Sequence, residues 1–170
     1  PIAVSFEVAE TEDFERIIAS GEVQAESAYD FTVRVKPTGL IAYKEYFYRF
    51  KARGVGTITG RTKTAPTPDQ EVSPRFAFVS CQDFIGRYYH SYQVLADEGE
   101  PLDFVLHLGD YIYETNGDPD FQQVAPDRAI DIPEGIQLLD DNPAVKAAST
   151  LADYRGLYKQ YRADANLQRM

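Results

Sequence analysis

Two short segments hold most of the side chains able to do chemistry. One is Ser80-Cys81-Gln82-Asp83 and the other is Gly109-Asp110-Tyr111-Ile112-Tyr113-Glu114. Together they offer a thiol, a carboxylate and a phenol. Carboxylate and phenolate are hard oxygen donors, so Asp110 with a tyrosine three residues on suits a hard trivalent cation. A free phenol ionises near pH 10, and only a strongly charged metal would deprotonate Tyr113 at neutral pH. Each signal is weak alone. Gly109-Asp110 also reads as a plain turn, and a single cysteine at a strand end as a small buried hydrophobe. Their force depends on where the flanking elements place them.

The pattern around them is that of a β-α-β unit. Phe76–Ser80 is a short strand of aromatic and β-branched residues, and Leu102–Leu108 is a second, nearly all apolar, as expected when both faces are covered. Between them Tyr88–Glu98 is helical in character, with Tyr89, Tyr92 or Gln93, and Ala96 on one face, and Gly99 ends it. Such a unit makes the strands parallel with a right-handed crossover. Both loops then leave the same sheet edge. Neighbouring strands lie about 4.8 Å apart, so residues just past the two strand ends can converge on one atom. Residues 115–148 are polar, with prolines at 119, 126, 133 and 143, and read as a long excursion. Ser149-Thr150-Leu151-Ala152-Asp153 then starts a helix with a capping signal, and Leu151, Tyr154, Leu157, Tyr158 and Tyr161 give it an apolar face that suits core packing.

Residues 1–64 read as all-β. Ile2, Val4, Phe6 and Val8 alternate with less apolar neighbours, as do Phe31, Val33 and Val35, and Tyr46, Tyr48 and Phe50. Weaker strands cover Glu22–Glu26 and Thr57–Lys63, and Gly21, Pro37-Thr38-Gly39 and Gly54-Val55-Gly56 mark turns. Short strands at this spacing predict a sandwich. The stretch from Gly39 to Arg49 resembles the tyrosine corner of fibronectin type III domains, with the Tyr46 hydroxyl bonding upstream backbone. About five strands are visible where such a sandwich has about seven, which places the missing ones before Pro1. Residues 65–74 carry three prolines and read as a stiff extended linker.

Composition narrows the function classes. The chain has 170 residues, 44% hydrophobic and 26% charged, as in an ordinary globular protein. Its single cysteine excludes a disulfide framework. No run approaches the roughly 20 apolar residues that span a bilayer. The net charge of −10 argues against nonspecific nucleic-acid binding. Residues 1–74 hold 9 Lys+Arg and 11 Asp+Glu, and residues 75–170 hold 8 and 16, so the acidity lies in the second half. Most of it suits a solvated surface. A few of these carboxylates binding cations would offset the field that an anionic substrate meets. Pro1 opens directly into a strand pattern, and Asn166–Met170 look like a helix interior with no stop signal, so the sequence reads as a piece of a longer protein.

Phe76-Ala77-Phe78-Val79-Ser80-Cys81-Gln82, then Tyr88-Tyr89, then Leu106-His107-Leu108-Gly109-Asp110-Tyr111-Ile112-Tyr113-Glu114, resembles the alkaline phosphatase D (PhoD-like) family of the calcineurin-like metallophosphoesterase superfamily. Phe6–Glu10, Tyr48-Arg49-Phe50 and the Leu151–Tyr161 helix resemble it too, so the likeness covers nearly the whole chain. It implies an α+β and α/β chain: an incomplete fibronectin-III-like β-sandwich (1–64), a Pro-rich linker (65–74), and the first β-α-β part of a four-layer α/β/β/α metallophosphoesterase sandwich (75–170). It implies a metal-dependent phosphoester hydrolase, an alkaline phosphatase or phosphodiesterase with phospholipase D-like action in its range, secreted or periplasmic. Cys81, Asp110 and Tyr113 would be metal ligands: Cys81 as a thiolate on iron, Asp110 bridging two metals, and Tyr113 matching the Gly-Asp-x-x-Tyr iron ligand of purple acid phosphatases. The implied ions are Fe3+ and Ca2+.

The superfamily also uses a downstream Asn-His or Asp-His pair and later His or Asp ligands. This chain has two histidines, His90 and His107, both upstream of those positions. It therefore holds about half of such a site, and the rest of the polypeptide or a second chain would complete it. Asp83 and Glu114 are carboxylates to which the likeness assigns no role; His107 reads as a core or supporting group and His90 as structural. Two other readings compete. One is a purple-acid-phosphatase-like enzyme, against which stands Cys81 in the first-ligand position. The other is a non-catalytic sandwich module joined to an incomplete enzyme fragment.

Overall fold

The computed structural model describes residues 1–97 and 101–170, so the expected helix end at Glu98-Gly99 lies outside the described residues. The chain divides into two compact units, Pro1–Arg75 and Phe76–Met170.

The first unit is one antiparallel sheet. Its strands are β1 (Ile2–Ala9), β2 (Ile17–Ala25), β3 (Glu45–Ala52), β4 (Val55–Gly56) and β5 (Gly60–Lys63). Their order is β2-β1-β3-β4, with β5 also pairing with β3. The alternation works as a period-two pattern should: Val4, Val8 and Tyr46 are buried, and so are Ala25 and Phe14. On the other face Glu7 stands opposite Arg49 in the register. Its carboxylate accepts from Arg49 Nε at 2.6 Å and from Lys51 Nζ at 3.3 Å. The Arg49 guanidinium in turn lies 3.9 Å from the centre of the Phe14 ring. The Tyr46 hydroxyl accepts the Ile41 N–H at 2.9 Å, which is the corner bond expected from its sequence context.

Several local expectations change. Phe31–Lys36 is not a strand. Thr32 N–H and hydroxyl both bond Tyr29 O, and Phe31 N–H bonds Glu26 O, so donors that would have built a ladder close a turn instead. Gly21 is not a turn but the middle of β2, directly across from Phe6. A Cβ there would sit 2.8 Å from the Phe6 ring, so the glycine makes room for the aromatic. Val55-Gly56 pairs back onto Lys51-Ala52 rather than serving only as a turn. Among the described residues the second sheet of a sandwich is not present. Within residues 65–74 the linker is not fully extended: Gln70 N–H bonds Thr67 O at 3.0 Å, and the Gln70 side chain returns to Thr67 N–H at 2.9 Å.

The second unit opens with β6 (Phe76–Val79), followed by α1 (His90–Asp97) and β7 (Phe104–His107). β6 and β7 are parallel, with Phe76 opposite Phe104 and Val79 opposite His107. The expectation that both faces are covered does not hold within this chain. Val79 packs against the core, but Phe76, Phe78, Phe104 and Leu106 on the other face are 47–68% exposed. Phe76 and Phe104 stack there at 5.1 Å. The apolar side chains of that face stay open to solvent.

The core gathers Phe84, Tyr89 and Tyr92 with Ile132, Leu157 and Tyr161. α2 (Leu151–Arg162) enters it by two residues, Leu157 and Tyr161, whereas Leu151, Tyr154 and Tyr158 of the expected apolar face are 40–66% exposed. The helix is narrower in its buried stripe than its aromatic pattern suggests. Its start follows the sequence signal: Thr150 is the N-cap, its hydroxyl accepting Asp153 N–H while the Asp153 carboxylate accepts Thr150 N–H. The chain then breaks at Asp164, which caps a separate short helix, α3 (Ala165–Gln168), so Asn166–Met170 do not continue α2.

The polar excursion is folded in, not loose. β8 (Ile136–Gln137) and β9 (Lys146–Ala147) form a small antiparallel pair. The rest is held by buried amides. Gln122 Oε1 accepts from Thr115 Oγ1, Gly117 N and Asp118 N at 2.8–2.9 Å, and Gln122 Nε2 reaches Asp83 Oδ1 at 3.2 Å. Arg128 is buried, donates to Asp164 Oδ2 at 2.6 Å, and lies 4.2 Å from the Phe84 ring centre.

Two tests follow from these contacts. Tyr46→Phe removes the acceptor for Ile41 N–H and should cost about 1 kcal/mol in urea unfolding; an unchanged midpoint would remove the corner bond from the stability of this sheet. Burial raises the Asp153 pKa, but the Ser149 and Thr150 amides outweigh it and hold the carboxyl below its ordinary value. A lowered folded-state pKa contributes stability that is present above the unfolded pKa and lost as pH falls through the folded one. The stability gap between wild type and Asp153→Asn should therefore be open at pH 7 and shrink as pH falls below the ordinary carboxyl range.

Candidate metal centre

Parallel pairing carries on past the ends of β6 and β7. Leu108 N–H donates to Val79 O at 2.8 Å, Cys81 N–H to Gly109 O at 3.2 Å, and Gln82 N–H to Asp110 O at 3.1 Å. The two loops thus leave the sheet edge joined by their backbones. Cys81 and Asp110 both adopt the left-handed region, with φ of 57° and 53°. That conformation costs an L-residue roughly 1–2 kcal/mol. Non-glycine residues held there cluster at functional sites.

The strain brings the three expected side chains to one atom. Asp110 Oδ2 lies 3.4 Å from Cys81 Sγ and accepts from the Tyr113 hydroxyl at 3.1 Å. Cys81 is exposed, so it is not the buried hydrophobe its position allowed. Burial pushes the Tyr113 phenol up, and its bonds with Cys81 and Asp110 push the same way. The phenol is then a neutral donor to Asp110. Among the described residues no three of His, Cys, Asp and Glu form a cation-binding group. The cluster reaches three donors only by counting the phenol.

An open cleft of about 490 Å³ lies beside the cluster, lined by Asp110, Tyr113, Glu114, Thr115, Asp118 and Phe121. Its carboxylates repel an anionic substrate unless cations sit among them. The Phe121 ring lies 5.2 Å from that of Tyr113 and backs the phenol.

The remaining candidates fall outside the cluster. Asp83 is buried and accepts from Ile85 N, Gly86 N and Gln122 Nε2, so its lone pairs hold the loop. His90 is exposed and stacks on Tyr88. His107 Nδ1 accepts Gly109 N–H at 3.3 Å, which puts its proton on Nε2; that buried atom has no partner among the described residues. Sequence reasoning gave no role to Gln82 or Tyr92. The signal for Gln82 was its place beside Cys81; for Tyr92 the helical spacing gave a face shared with Tyr89, but no link to the strand-end loops.

Two parallel strand ends thus hold a thiol, a carboxylate and a phenol together, and the comparisons with known proteins place the chain in a phosphatase family. The chain belongs to the PhoD-like phosphatase family: the family's own model matches residues 76–170, and that of its N-terminal domain, described as the PhoD-like phosphatase N-terminal domain, matches residues 1–66. Alkaline phosphatase D of Bacillus subtilis (strain 168) is 38% identical over 168 residues, covering 98% of this chain. A solved structure of PhoD is similar with a TM-score of 0.79 at 37% identity, covering 99% of this chain. The chain spans 26% of the length of the former and 30% of the latter.

Because Cys81 pays strain for its position and is exposed, Cys81→Gly should stabilise the metal-free chain. Relief of the left-handed penalty, less the entropy that glycine loses on folding, leaves about 1 kcal/mol. Urea unfolding after chelation reads this directly; a lower midpoint for the variant would mean that the Cys81 side chain holds the loop.

Proposed function

We propose that this chain carries part of the metal-ligand set of a phosphoester hydrolase acting on phosphomonoesters or phosphodiesters. The observation that carries the reading is the meeting of Cys81 Sγ and the Tyr113 hydroxyl on Asp110 Oδ2, in a chain of the PhoD-like family. The donor chemistry fits the ions that the resemblance implies. Thiolate, carboxylate and phenolate would carry three negative charges between them, which would balance a ferric ion, and a carboxylate is also a suitable ligand for calcium. When bound, such ions polarise phosphoryl oxygens and lower the pKa of an attacking water.

The chain's own residues do the rest. The paired backbones of the two loops fix the ligand spacing. Cys81, Asp110 and Tyr113 would hold such an ion, and the Tyr113 phenol, which now donates to Asp110 Oδ2, would give up that proton on binding it. The acidic cleft wall at Glu114 and Asp118 keeps substrate anions away from the site until the cations are loaded. Donors from beyond these residues would complete the coordination sphere. The fibronectin-III-like character of the first unit, supported by the Tyr46 corner, and the metallophosphoesterase sandwich for the second, supported by its parallel β-α-β start, belong to the same reading, as does a secreted or periplasmic enzyme.

Asp110→Asn keeps the side-chain shape and tolerates the left-handed backbone. In the intact natural polypeptide it should lower phosphoester turnover by at least about a thousandfold with an unchanged melting temperature. Retained turnover would overturn the reading.

A further inference from the structure

Gln82 is 5% exposed, and both ends of its amide are hydrogen-bonded. Its Nε2 donates to Tyr111 O at 2.7 Å, and its Oε1 accepts from the Tyr92 hydroxyl at 2.5 Å. Its backbone N–H donates to Asp110 O at 3.1 Å, and its backbone carbonyl accepts from the Tyr89 hydroxyl at 3.2 Å. Gln82 follows Cys81 directly, and Tyr111 follows Asp110 directly. One residue thus ties the loop carrying the thiol to the carbonyls of two successive peptides, Asp110–Tyr111 and Tyr111–Ile112.

The chemistry requires this side chain. A carbonyl accepts and never donates, so the atom facing Tyr111 O must be an N–H. Glutamate has none there when ionised, and leucine has neither donor nor acceptor. Asparagine is one methylene shorter and cannot span the gap from the same backbone. Burial pushes the Tyr92 phenol up to about 12, so it stays a neutral donor to Oε1 across the ordinary pH range. Tyr89 and Tyr92 meet edge to face at 5.6 Å, and both sit in the core, which gives the clamp a fixed base.

We propose that Gln82 is a positioning residue: clamped by Tyr92, it sets the separation of Cys81 and Asp110 and holds both in their left-handed conformations for metal binding. This rests on the metal-ligand reading above. Gln82 touches no reacting atom in this arrangement. It acts through the two loops, as outer partners of metal ligands do, and their loss typically weakens binding 10–100-fold.

The test uses the intact natural polypeptide with Gln82→Leu and Tyr92→Phe, the second removing one donor and leaving the core shape. Amide exchange of the segment with Cys81 and Gln82 is read by mass spectrometry after chelation, and ferric iron alone is the binding probe. Both variants should exchange at least about tenfold faster there, while the β6–β7 segment is unchanged. Both should bind iron at least about tenfold more weakly and lose kcat at constant KM. Iron binding and kcat within twofold of wild type, with only the melting temperature lowered, would overturn the proposal and leave Gln82 as packing. Unchanged exchange in both variants would overturn it as well. The exchange measurement needs no metal, so it decides the clamp separately from Asp110→Asn, which decides the metal reading.

Discussion

A peptide ladder that outruns its own strands governs the second unit. β6 and β7 are four residues each, short for independent strands, yet the bonds from Leu108, Cys81 and Gln82 keep the two chains paired into the loops. Parallel pairing needs a long crossover before any contact is gained, and here α1 supplies it. Once the strands lie side by side, the loop that follows each must start at the same edge. The convergence on Asp110 Oδ2 follows from this, as does the strain at Cys81 and Asp110, since the loops must turn sharply to keep their side chains together. The core of Phe84, Tyr89, Tyr92 and Tyr161 then acts mainly as a mould behind those turns.

How legible was this in the sequence? The pieces governed by local rules were plain: the alternation of β1 and β3, the Thr150–Asp153 capping box, and the parallel pair with its loops on one edge. The trio at the centre was legible because two motifs sat at the ends of two readable strands. What escaped depends on contacts far apart in the chain. Gly21 looked like punctuation because a glycine opposite an aromatic and a glycine in a turn are the same letter. Phe31–Lys36 had perfect alternation, but its amides had closer partners at Tyr29 and Glu26. The excursion from 115 to 148 is organised by Asn116, Gln122 and Arg128, whose partners lie up to 39 residues away, and no periodicity announces such bonds.

The trio at the strand ends is held from several sides. Three donors are gathered, each held by backbone or by a neighbour: Cys81 and Asp110 by the extended ladder, Tyr113 by Phe121 and by the Tyr161 hydroxyl, which accepts its N–H at 3.2 Å. The chain spans 26% of the length of its Bacillus subtilis relative. Phe76, Phe78, Phe104 and Leu106 form an open face, whereas apolar side chains on a parallel sheet are ordinarily covered on both faces.

The Arg128–Asp164 pair has a further consequence, in ionic strength. Mobile ions act on charges that water reaches, over about 8 Å at physiological salt and about 3 Å at 1 M. Both side chains of this pair are under a tenth exposed, and the guanidinium is roofed by Phe84. The ladder of Glu7 with Arg49 and Lys51 in the first unit is 24–45% exposed. Brine would loosen that ladder and leave the buried pair untouched. The second unit therefore keeps one ionic link that is indifferent to the salinity around it, beside the exposed Arg169–Asp97 pair, which salt does reach.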